Sequence, residues 1–217
     1  MKPLVSVVIP TFNEEKTILN CLASILNSDY GSKYIEVLIV DALSTDSTTN
    51  KSKKFENEFY ALKIIENEKK HTPIAFNLGI KHSEGEYILV LSGHSSIDKN
   101  YISGLVKTFQ EYDADLVGGV FNVETLNKTF FSESIKNVLS SRWGSGFSKS
   151  RVGVDKPEKS DTASGMYKKS IFKKVGLFDE RLLRTQDLEL SHRIVKSGGN
   201  IYVTPHVKYT YFCREQL

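Results

Sequence analysis

The sequence predicts an α/β fold in which helices pack on both faces of a mostly parallel, mixed central sheet. Three apolar runs carry this prediction, at residues 5–9, 37–40 and 87–91, because each stops at small polar or acidic residues before an amphipathic stretch. Parallel strands that are buried on both faces read as continuous apolar runs. Ligands of such sheets bind beyond the carboxyl ends of the strands. The three polar clusters are therefore predicted to meet in one pocket.

Alternating strand and helix patterns account for most of the remaining chain. Asn13 is predicted to cap a first helix, whose apolar side chains recur at helical spacing from Ile18 to Leu26. Thr72 and Pro73 are typical of a helix start, and Asp98 is predicted to cap another helix. The stretch 143–161 is rich in Gly, Ser and Lys and has neither period, which predicts a mobile loop. Further strands are predicted at 35–40, 62–65, 115–121 and 200–203, and further helices at 51–58, 170–175 and 185–197.

Length and composition fit one domain with a sizeable core, because the chain has 217 residues and is 40% hydrophobic. A formal net charge of +3 gives no reason to expect a nucleic acid partner. Two cysteines, Cys21 and Cys213, are too few for a disulfide framework and fit a reducing compartment. No window supplies the roughly 20 apolar residues of a membrane-spanning helix. These features predict a cytoplasmic location, and the strand-like C-terminal part predicts that the native protein continues beyond residue 217.

Absent motifs exclude two common classes of nucleotide-binding protein. No Gly-x-Gly-x-x-Gly follows the first strand and no Gly-x-x-x-x-Gly-Lys-Ser/Thr occurs, which argues against dinucleotide oxidoreductases and P-loop NTPases. Asp41, at the end of a buried strand, can instead accept hydrogen bonds from a nucleobase imide or a ribose hydroxyl, with Thr11 and Asn13 as neutral partners nearby. The alternative is that Asp41 only stabilises the polar turn at residues 44–48.

Four segments carry a resemblance to a known family. Residues 5–15 (VSVVIPTFNEE), 39–48 (IVDALSTDST), 75–80 (AFNLGI) and 85–88 (GEYI) resemble family 2 glycosyltransferases of the GT-A fold, in order and spacing over nearly the whole chain. WGSG at 143–146, GMY at 165–167, VGLFDE at 175–180 and QDLELSHR at 186–193 are similar to bacterial exopolysaccharide glucosyltransferases of the succinoglycan type. The resemblance implies one Rossmann-like, three-layer α/β/α catalytic domain. Residues 1–122 would form its nucleotide-binding half and residues 123–217 its acceptor-binding half.

The resemblance implies transfer of a sugar from a nucleoside-diphosphate sugar, most simply a UDP-sugar, to an acceptor hydroxyl with inversion at the anomeric carbon. Such a displacement needs a base, and the family motif assigns that role to Asp187 with Glu189 as a supporting carboxylate. At helical spacing these two side chains lie about 200° apart, so only one should face the acceptor. The alternative is that Asp187 merely favours the helix dipole as an acid of the first turn.

The resemblance also assigns binding residues to each substrate. The nucleotide sugar would be bound by Pro10, Thr11, Asn13, Glu14, Asp41, Asn77, Ser92, Gly93 and His94, and the acceptor by Trp143, Gly165, Met166 and Arg193.

The diphosphate leaving group is commonly neutralised by Mg²⁺ or Mn²⁺ held by carboxylates. Where the family usually carries Asp-x-Asp, this sequence reads Ser92-Gly93-His94, so the leading carboxylate is absent. Three interpretations remain open. His94 could bind the metal together with His206; His94 and basic side chains could neutralise the phosphates without a metal; or the chain could be a catalytically inactive module that only binds nucleotide sugars.

A basic stretch at residues 149–174 has two interpretations. Eight lysines and arginines in this interval oppose only Asp155, Glu158 and Asp161. The stretch is either an ordinary solvated face or a surface for an anionic membrane leaflet or a lipid diphosphate. The second interpretation predicts a lipid-linked or glycan acceptor and a location at the cytoplasmic face of a membrane.

Overall fold

A computed structural model describes residues 2–125 and 149–213 as alternating strands and helices around one large sheet. The strands are β1 Val5–Thr11, β2 Ile35–Asp41, β3 Ala61–Glu66, β4 Tyr87–Val90, β5 Ser95–Ile97, β6 Leu116–Thr125, β7 Glu158–Lys159, β8 Gly165–Lys168 and β9 Ile201–Cys213. The helices are α1 Ile18–Leu26, α2 Thr48–Lys53, α3 Thr72–His82, α4 Tyr101–Glu111, α5 Lys149–Val152, α6 Ile171–Val175 and α7 Gln186–Lys196, with a 3₁₀ turn at Ser32–Tyr34.

The described strands form one mixed sheet in the order β3-β2-β1-β4-β8-β6-β9-β5, and β7 also pairs with β9. β1 pairs in parallel with β2 and β4, and β2 pairs in parallel with β3. β8 runs antiparallel between β4 and β6, whereas β6 and β9 are parallel. β5 and β7 are antiparallel to β9, so β1–β4, β6 and β9 share one direction. The predicted α/β sandwich with a mostly parallel sheet is confirmed.

Alternate side chains of β1 enter two separate hydrophobic cores. Val7 and Ile9 pack with Leu22 of α1 on one face of the sheet, where α4 also packs. Val8 packs with Ala75 of α3 on the other face, which α6 and α7 cover as well. Because side chains of a strand alternate between faces, a central strand with both faces covered must be apolar throughout. This double burial explains the continuous apolar runs of the sequence.

Several element boundaries differ from the sequence prediction. The prediction that Asn13 caps the first helix is wrong: α1 begins at Ile18, and Asn13 instead takes a left-handed conformation with φ 54°. α3 includes Thr72 and is preceded by His71, one residue earlier than predicted. α2 ends at Lys53 rather than near residue 58.

The second half of the chain contains more regular structure than its sequence indicated. Within the predicted loop at 143–161, residues 149–152 are helical and Glu158–Lys159 form a short strand, while 143–148 lie outside the described residues. β5 and β8 were not predicted, because strands of three or four residues are too short to show a period. β9 is much longer than the predicted strand at 200–203. Among the described residues, no helix is both long and apolar enough to span a bilayer.

Gly79 brings α3 close to the central strand. A Cβ added to this residue would lie 2.2 Å from Cγ1 of Val8, far inside van der Waals contact. Because Val8 is fully buried in β1, neither the helix nor the strand can move without disturbing the sheet.

We therefore expect Gly79→Ala to lower the free energy of unfolding by about 1–3 kcal/mol through overpacking, despite the better helix propensity of alanine. Urea denaturation followed by circular dichroism measures the change. Lys81→Ala, at an exposed position of the same helix, is the matched control and should be nearly neutral. Equal stability of the two variants would contradict the tight contact between α3 and β1.

Candidate functional site

An open cavity of about 1080 Å³ lies at the carboxyl ends of the first four strands, where the sequence places its polar clusters. Of the predicted site residues, it is lined by Pro10, Thr11, Glu14, Ser92, His94 and Asp187. The structure thus brings the loops after β1 and β4 and the start of α7 to one concave surface. A cavity of this size suits a ligand as large as a nucleotide sugar.

The loops that follow β1 and β2 are joined by hydrogen bonds between side chains of one and backbone groups of the other. The backbone N–H of Asn13 donates to Oγ of Ser44 (2.9 Å), and the N–H of Thr45 donates to Oδ1 of Asn13 (2.9 Å). The N–H of Glu14 donates to Oγ1 of Thr48 (2.7 Å). Asn13 does not line the cavity, but these contacts fix its left-handed backbone and join the two loops next to the cavity.

Asp41 lies just beneath the cavity floor and is only 4% exposed. Its Oδ1 accepts from Oγ1 of Thr11 (2.8 Å) and Oγ of Ser44 (2.6 Å), and its Oδ2 accepts from the N–H of Ser44 (2.7 Å). Three of about four lone-pair positions of the carboxylate are thus used within the protein. These contacts correspond to the turn-stabilising alternative, and direct contact of Asp41 with a nucleotide stays a prediction.

Glu14 and His94 form a largely buried pair between the first and fourth strand loops. Nδ1 of His94 donates to Oε1 of Glu14 (2.8 Å), and Oγ1 of Thr17 donates to Oε2 (3.0 Å). Because a carboxylate can only accept, this contact fixes the proton of the imidazole on Nδ1. The Ser92 hydroxyl lies 3.0 Å from the ring nitrogens, and the ring of Tyr211 packs edge-on at 4.8 Å.

The side chains around His94 do not fit a metal site built by the protein alone. A hard divalent cation needs several oxygen ligands, yet no group of three or more His, Cys, Asp or Glu residues that could hold a metal occurs among the described residues. The carboxylate next to His94 is that of Glu14, and its Oε1 already accepts a hydrogen bond from the imidazole. His206 is exposed on β9 and is not part of the cavity lining. The described side chains therefore do not provide a divalent cation with the ligands that it needs.

Cys21 lies under the Ser92 segment and has no chemical role that its environment supports. Its thiol is fully buried and approaches the carbonyl oxygen of Ser92 at 3.6 Å. Burial raises the pKa of this thiol to about 12, so it stays protonated at neutral pH. A buried, protonated thiol is neither a nucleophile nor a metal ligand. Cys21 therefore belongs to the core.

Asp187 and Glu189, two residues apart on α7, have different surroundings. Asp187 lines the cavity, and its Oδ1 accepts from the N–H of Leu188 (3.0 Å). Glu189 instead binds the guanidinium of Arg193 at 2.6 and 2.7 Å. Arg193 also donates to the carbonyl oxygens of Val175 and Leu177, so it anchors α7 to the preceding segment. Only Asp187 is thus presented to a ligand.

A buried phenol lies close to the Asp187 carboxylate. Tyr167 of β8 is fully buried, and its hydroxyl has no hydrogen-bond partner among the described residues. Burial raises the pKa of this phenol, and the negative charge of Asp187 raises it further. The phenol therefore remains neutral beside the carboxylate at neutral pH.

The other predicted site residues serve as structural contacts next to the cavity. Asn77 is buried, donates to the carbonyl oxygen of Phe178 (2.9 Å) and accepts from its N–H (3.0 Å). A Cβ on Gly93 would crowd Glu14, and one on Gly165 would collide with the carbonyl oxygen of Val117. Met166 is fully buried in the core. Trp143 lies outside the described residues, so its predicted contact with the acceptor remains a prediction.

Several residues of the cavity wall were missed by sequence reasoning. Asn67, Lys70 and His71 follow β3 and line the same cavity. They could have been found with the rule applied to the other strands, because they also follow the carboxyl end of a parallel strand. Phe121 of β6 and Tyr209 and Tyr211 of β9 form an aromatic wall that no local pattern indicates.

Comparison with known proteins gives a consistent assignment. A family model described as glycosyl transferase family 2 matches residues 6–176. The chain is 31% identical, over 98% of its length, to a Methanococcus voltae protein named dolichyl N-acetyl-α-D-glucosaminyl phosphate 3-β-D-2,3-diacetamido-2,3-dideoxy-β-D-glucuronosyltransferase. It is 26% identical, over 97% of its length, to the succinoglycan biosynthesis protein ExoA of Rhizobium meliloti. The chain spans 68% and 64% of the length of these two relatives.

A solved structure shares the fold. The crystal structure of S. aureus TarS 1-349 in complex with UDP-GlcNAc superimposes with a TM-score of 0.75 and 22% sequence identity. This match covers 99% of the present chain and 60% of the TarS chain. At this identity the likeness establishes the fold.

The Glu14–His94 pair leads to a stability prediction. We expect His94→Ala to lower the free energy of unfolding by about 1–3 kcal/mol, because a buried carboxylate loses its hydrogen-bonded partner. In the His94→Ala/Glu14→Gln double variant, part of this loss should be recovered, because the buried group is then uncharged. Urea denaturation of the two single variants and the double variant measures the coupling. His82→Ala, at an exposed histidine, is the control. Additive effects of the two substitutions would mean that the pair does not interact.

Proposed function

The chain belongs to glycosyl transferase family 2, and on that premise we propose that it transfers a sugar from a nucleoside-diphosphate sugar to an acceptor hydroxyl with inversion. The observation that carries the proposal is a carboxylate, Asp187, in the wall of a cavity formed by the nucleotide-binding loops. A UDP-sugar is the proposed donor, consistent with the UDP-GlcNAc complex of TarS. A lipid-linked or glycan hydroxyl is the proposed acceptor, consistent with the dolichyl-linked substrate in the name of the M. voltae relative.

Asp187 is proposed as the general base. The acceptor oxygen attacks the anomeric carbon as the bond from that carbon to the nucleoside diphosphate breaks, and the hydroxyl proton passes to the Asp187 carboxylate. Support comes from its position in the cavity and from the contrast with Glu189, whose carboxylate is occupied by Arg193. Glu189 and Arg193 then act as positioning residues, since they hold α7 against the segment that contains Val175 and Leu177.

The diphosphate is proposed to bind where the cavity wall is basic. Lys70, His71 and His94 line the cavity, and α3 directs its N-terminus to the same place. The positive end of a helix and the ammonium group of Lys70 both stabilise a departing anion. This arrangement corresponds to the second of the three interpretations of Ser92-Gly93-His94. A divalent cation bound mainly by the substrate phosphates would add to the neutralisation without requiring a metal site within the protein.

The basic stretch at 149–174 is proposed to face an anionic membrane surface. Lys156, Lys173 and Lys174 are exposed and therefore available for such a contact. Lys149 and Lys169, in contrast, donate to the carbonyl oxygens of Lys159 and Ser83, so part of the stretch stabilises the fold instead. On this proposal the protein acts at the cytoplasmic face of a membrane.

For the catalytic role, Asp187→Asn should lower kcat by about 100- to 10,000-fold, because the amide cannot accept the acceptor proton. Donor affinity should be nearly unchanged, since the side chain is assigned to the acceptor hydroxyl. Nucleotide release and calorimetry measure the two quantities, with UDP-, GDP- and dTDP-sugars in the presence and absence of Mn²⁺. Asp161→Asn makes the same chemical change at an exposed position outside the cavity lining and should retain full turnover.

The same assay distinguishes the alternative of an inactive nucleotide-sugar-binding module. Such a module would bind a donor but neither hydrolyse nor transfer it under any of these conditions. Full turnover by Asp187→Asn would remove this residue from the mechanism.

A further inference from the structure

Asp187 lies in the first turn of α7, where little holds its side chain in one orientation. The residues that the structure describes give its carboxylate one hydrogen bond, from the N–H of Leu188 (3.0 Å), the next residue in the chain. The ion pair of Glu189 and Arg193 acts on the helix as a whole rather than on this side chain. A general base must be well oriented, because a misplacement of about 1 Å lowers the rate severely. A second partner is therefore expected near the Asp187 carboxylate.

The side of α7 that carries Asp187 packs on the face of the sheet that contains Tyr167. Leu190 and Ile194 follow Asp187 by three and seven residues, so helical spacing puts them on the same side of the helix. Both are fully buried, and they belong to the same hydrophobic core as Tyr167 of β8. Asp187 is thus the end of a buried stripe of α7, at the point where this stripe reaches the cavity.

The position of the Tyr167 hydroxyl is fixed by its surroundings. The backbone of Tyr167 is paired with β4 on one side and with β6 on the other. Its ring packs against those of Phe172 and Phe178, with centroid distances of 5.4 and 6.0 Å. A rotation that moved the hydroxyl elsewhere would require this core to repack.

This hydroxyl is a buried donor without a partner in the fold. Within residues 2–125 and 149–213 it makes no hydrogen bond, although Tyr167 is fully buried. An unpaired buried polar group costs stability, and phenylalanine would fill the same place without that cost. The negative charge of Asp187 acts on the phenol and raises its pKa, so the phenol keeps its proton and can donate it to a hydrogen bond.

We propose that Tyr167 is a positioning residue for the general base: its phenol donates a hydrogen bond to the Asp187 carboxylate when substrates occupy the cavity. The inference rests on the proposed function and adds to its mechanism a residue outside the cavity lining. A change of rotamer at Asp187 exchanges the bond from Leu188 for the bond from Tyr167. One carboxylate oxygen then accepts from the phenol, and the other receives the proton of the attacking hydroxyl, while Tyr167 keeps its own proton throughout.

The first test compares the kinetics of Tyr167→Phe with those of the wild type. The variant should have a kcat about tenfold lower, because the base is less well oriented, and an unchanged KM for the donor. The acid limb of the pH profile of kcat should move up by about one pH unit, because a hydrogen bond to an ionised carboxylate lowers its pKa and the variant lacks this bond. Nucleotide release from the UDP-, GDP- or dTDP-sugar that the wild type turns over measures all three quantities. An unchanged kcat and pH profile would overturn the proposal.

The shift of the pH profile isolates the phenol, because Tyr167→Phe changes no charged group at neutral pH. The other ionisable groups in the cavity wall and on the elements around Asp187 stay the same in the variant. They are Glu14, Lys70, His71 and His94 in the cavity wall, Arg181 and Arg184 before α7, Glu189, His192 and Arg193 on α7, and Lys173 and Lys174 on α6.

Tyr101→Phe is the matched control, because Tyr101 is also fully buried but packs on the other face of the sheet, outside the cavity lining. This variant should keep the kcat and the pH profile of the wild type. Urea denaturation adds a readout of stability: Tyr167→Phe should unfold at the same urea concentration as the wild type or at a higher one, because the lost hydroxyl has no partner in the fold. Lower stability of Tyr167→Phe would show that the hydroxyl serves the fold and would overturn the proposal.

A double variant tests whether Tyr167 acts through Asp187. Asp187→Asn/Tyr167→Phe should have the same kcat as Asp187→Asn, because the group that the phenol positions is already lost. A further tenfold loss in the double variant would overturn the proposal and leave the proposed function intact. Full turnover by Asp187→Asn, or no turnover by the wild type with any of these sugars, would instead contradict the proposed function itself.

Replacement of Tyr167 by 3-fluorotyrosine keeps the proposal testable should Tyr167→Phe fail to fold. The fluorinated phenol has almost the same shape and is a stronger hydrogen-bond donor. The acid limb of the kcat profile should then move to lower pH, in the opposite direction from Tyr167→Phe. An acid limb at the wild-type pH would overturn the role of Tyr167.

Discussion

The hydrogen bonds between the loops after β1 and β2 are the contacts on which the rest of the cavity depends. The Asp41 carboxylate accepts hydrogen bonds from Thr11 at the end of β1 and from Ser44 in the loop after β2. Asn13, in the loop after β1, accepts a further bond from the N–H of Thr45. β1 lies between β2 and β4, so the same loop that is fixed by these bonds carries Glu14 to His94. The positions of Glu14 and His94 therefore follow from the hydrogen bonds that join the loops after β1 and β2. A ligand that enters the cavity meets side chains that these bonds already hold in place.

Two carboxylates close together in the sequence have different surroundings because they point away from α7 in different directions. Glu189 is four residues before Arg193 and therefore lies on the same side of α7, where the two form an ion pair. Asp187 points to another side and reaches the cavity. The sequence is sufficient to predict this division, since helical spacing puts the two side chains about 200° apart and only one of them can face the cavity. The bonds from Arg193 to Val175 and Leu177 then fix the angle at which the other carboxylate is presented.

The buried strands and the region of the site could be predicted from the sequence. Features that depend on contacts between residues far apart in the chain could not. Strands β1–β4 were predictable because burial on both faces demands unbroken apolar runs. Asn13 is predicted to cap a helix because Asn is common at that position. The side chain of Asn13 instead accepts a hydrogen bond from the N–H of Thr45, which lies 32 positions further along the chain and cannot be identified from the local sequence. β5 and β8 are short and are held by distant partners. Asn67 could have been predicted as a cavity residue, because it follows the carboxyl end of a parallel strand.

The length of β9 makes one side of the cavity depend on contacts between distant parts of the chain. This strand pairs with β5, β6 and β7, and Ser95 of β5 and its partner Tyr211 are 116 residues apart in the chain. Tyr209 and Tyr211, which complete one side of the cavity, belong to it. The aromatic side of the cavity is therefore ordered only when β9 has joined the sheet, and contacts between segments far apart in the chain form more slowly than local ones.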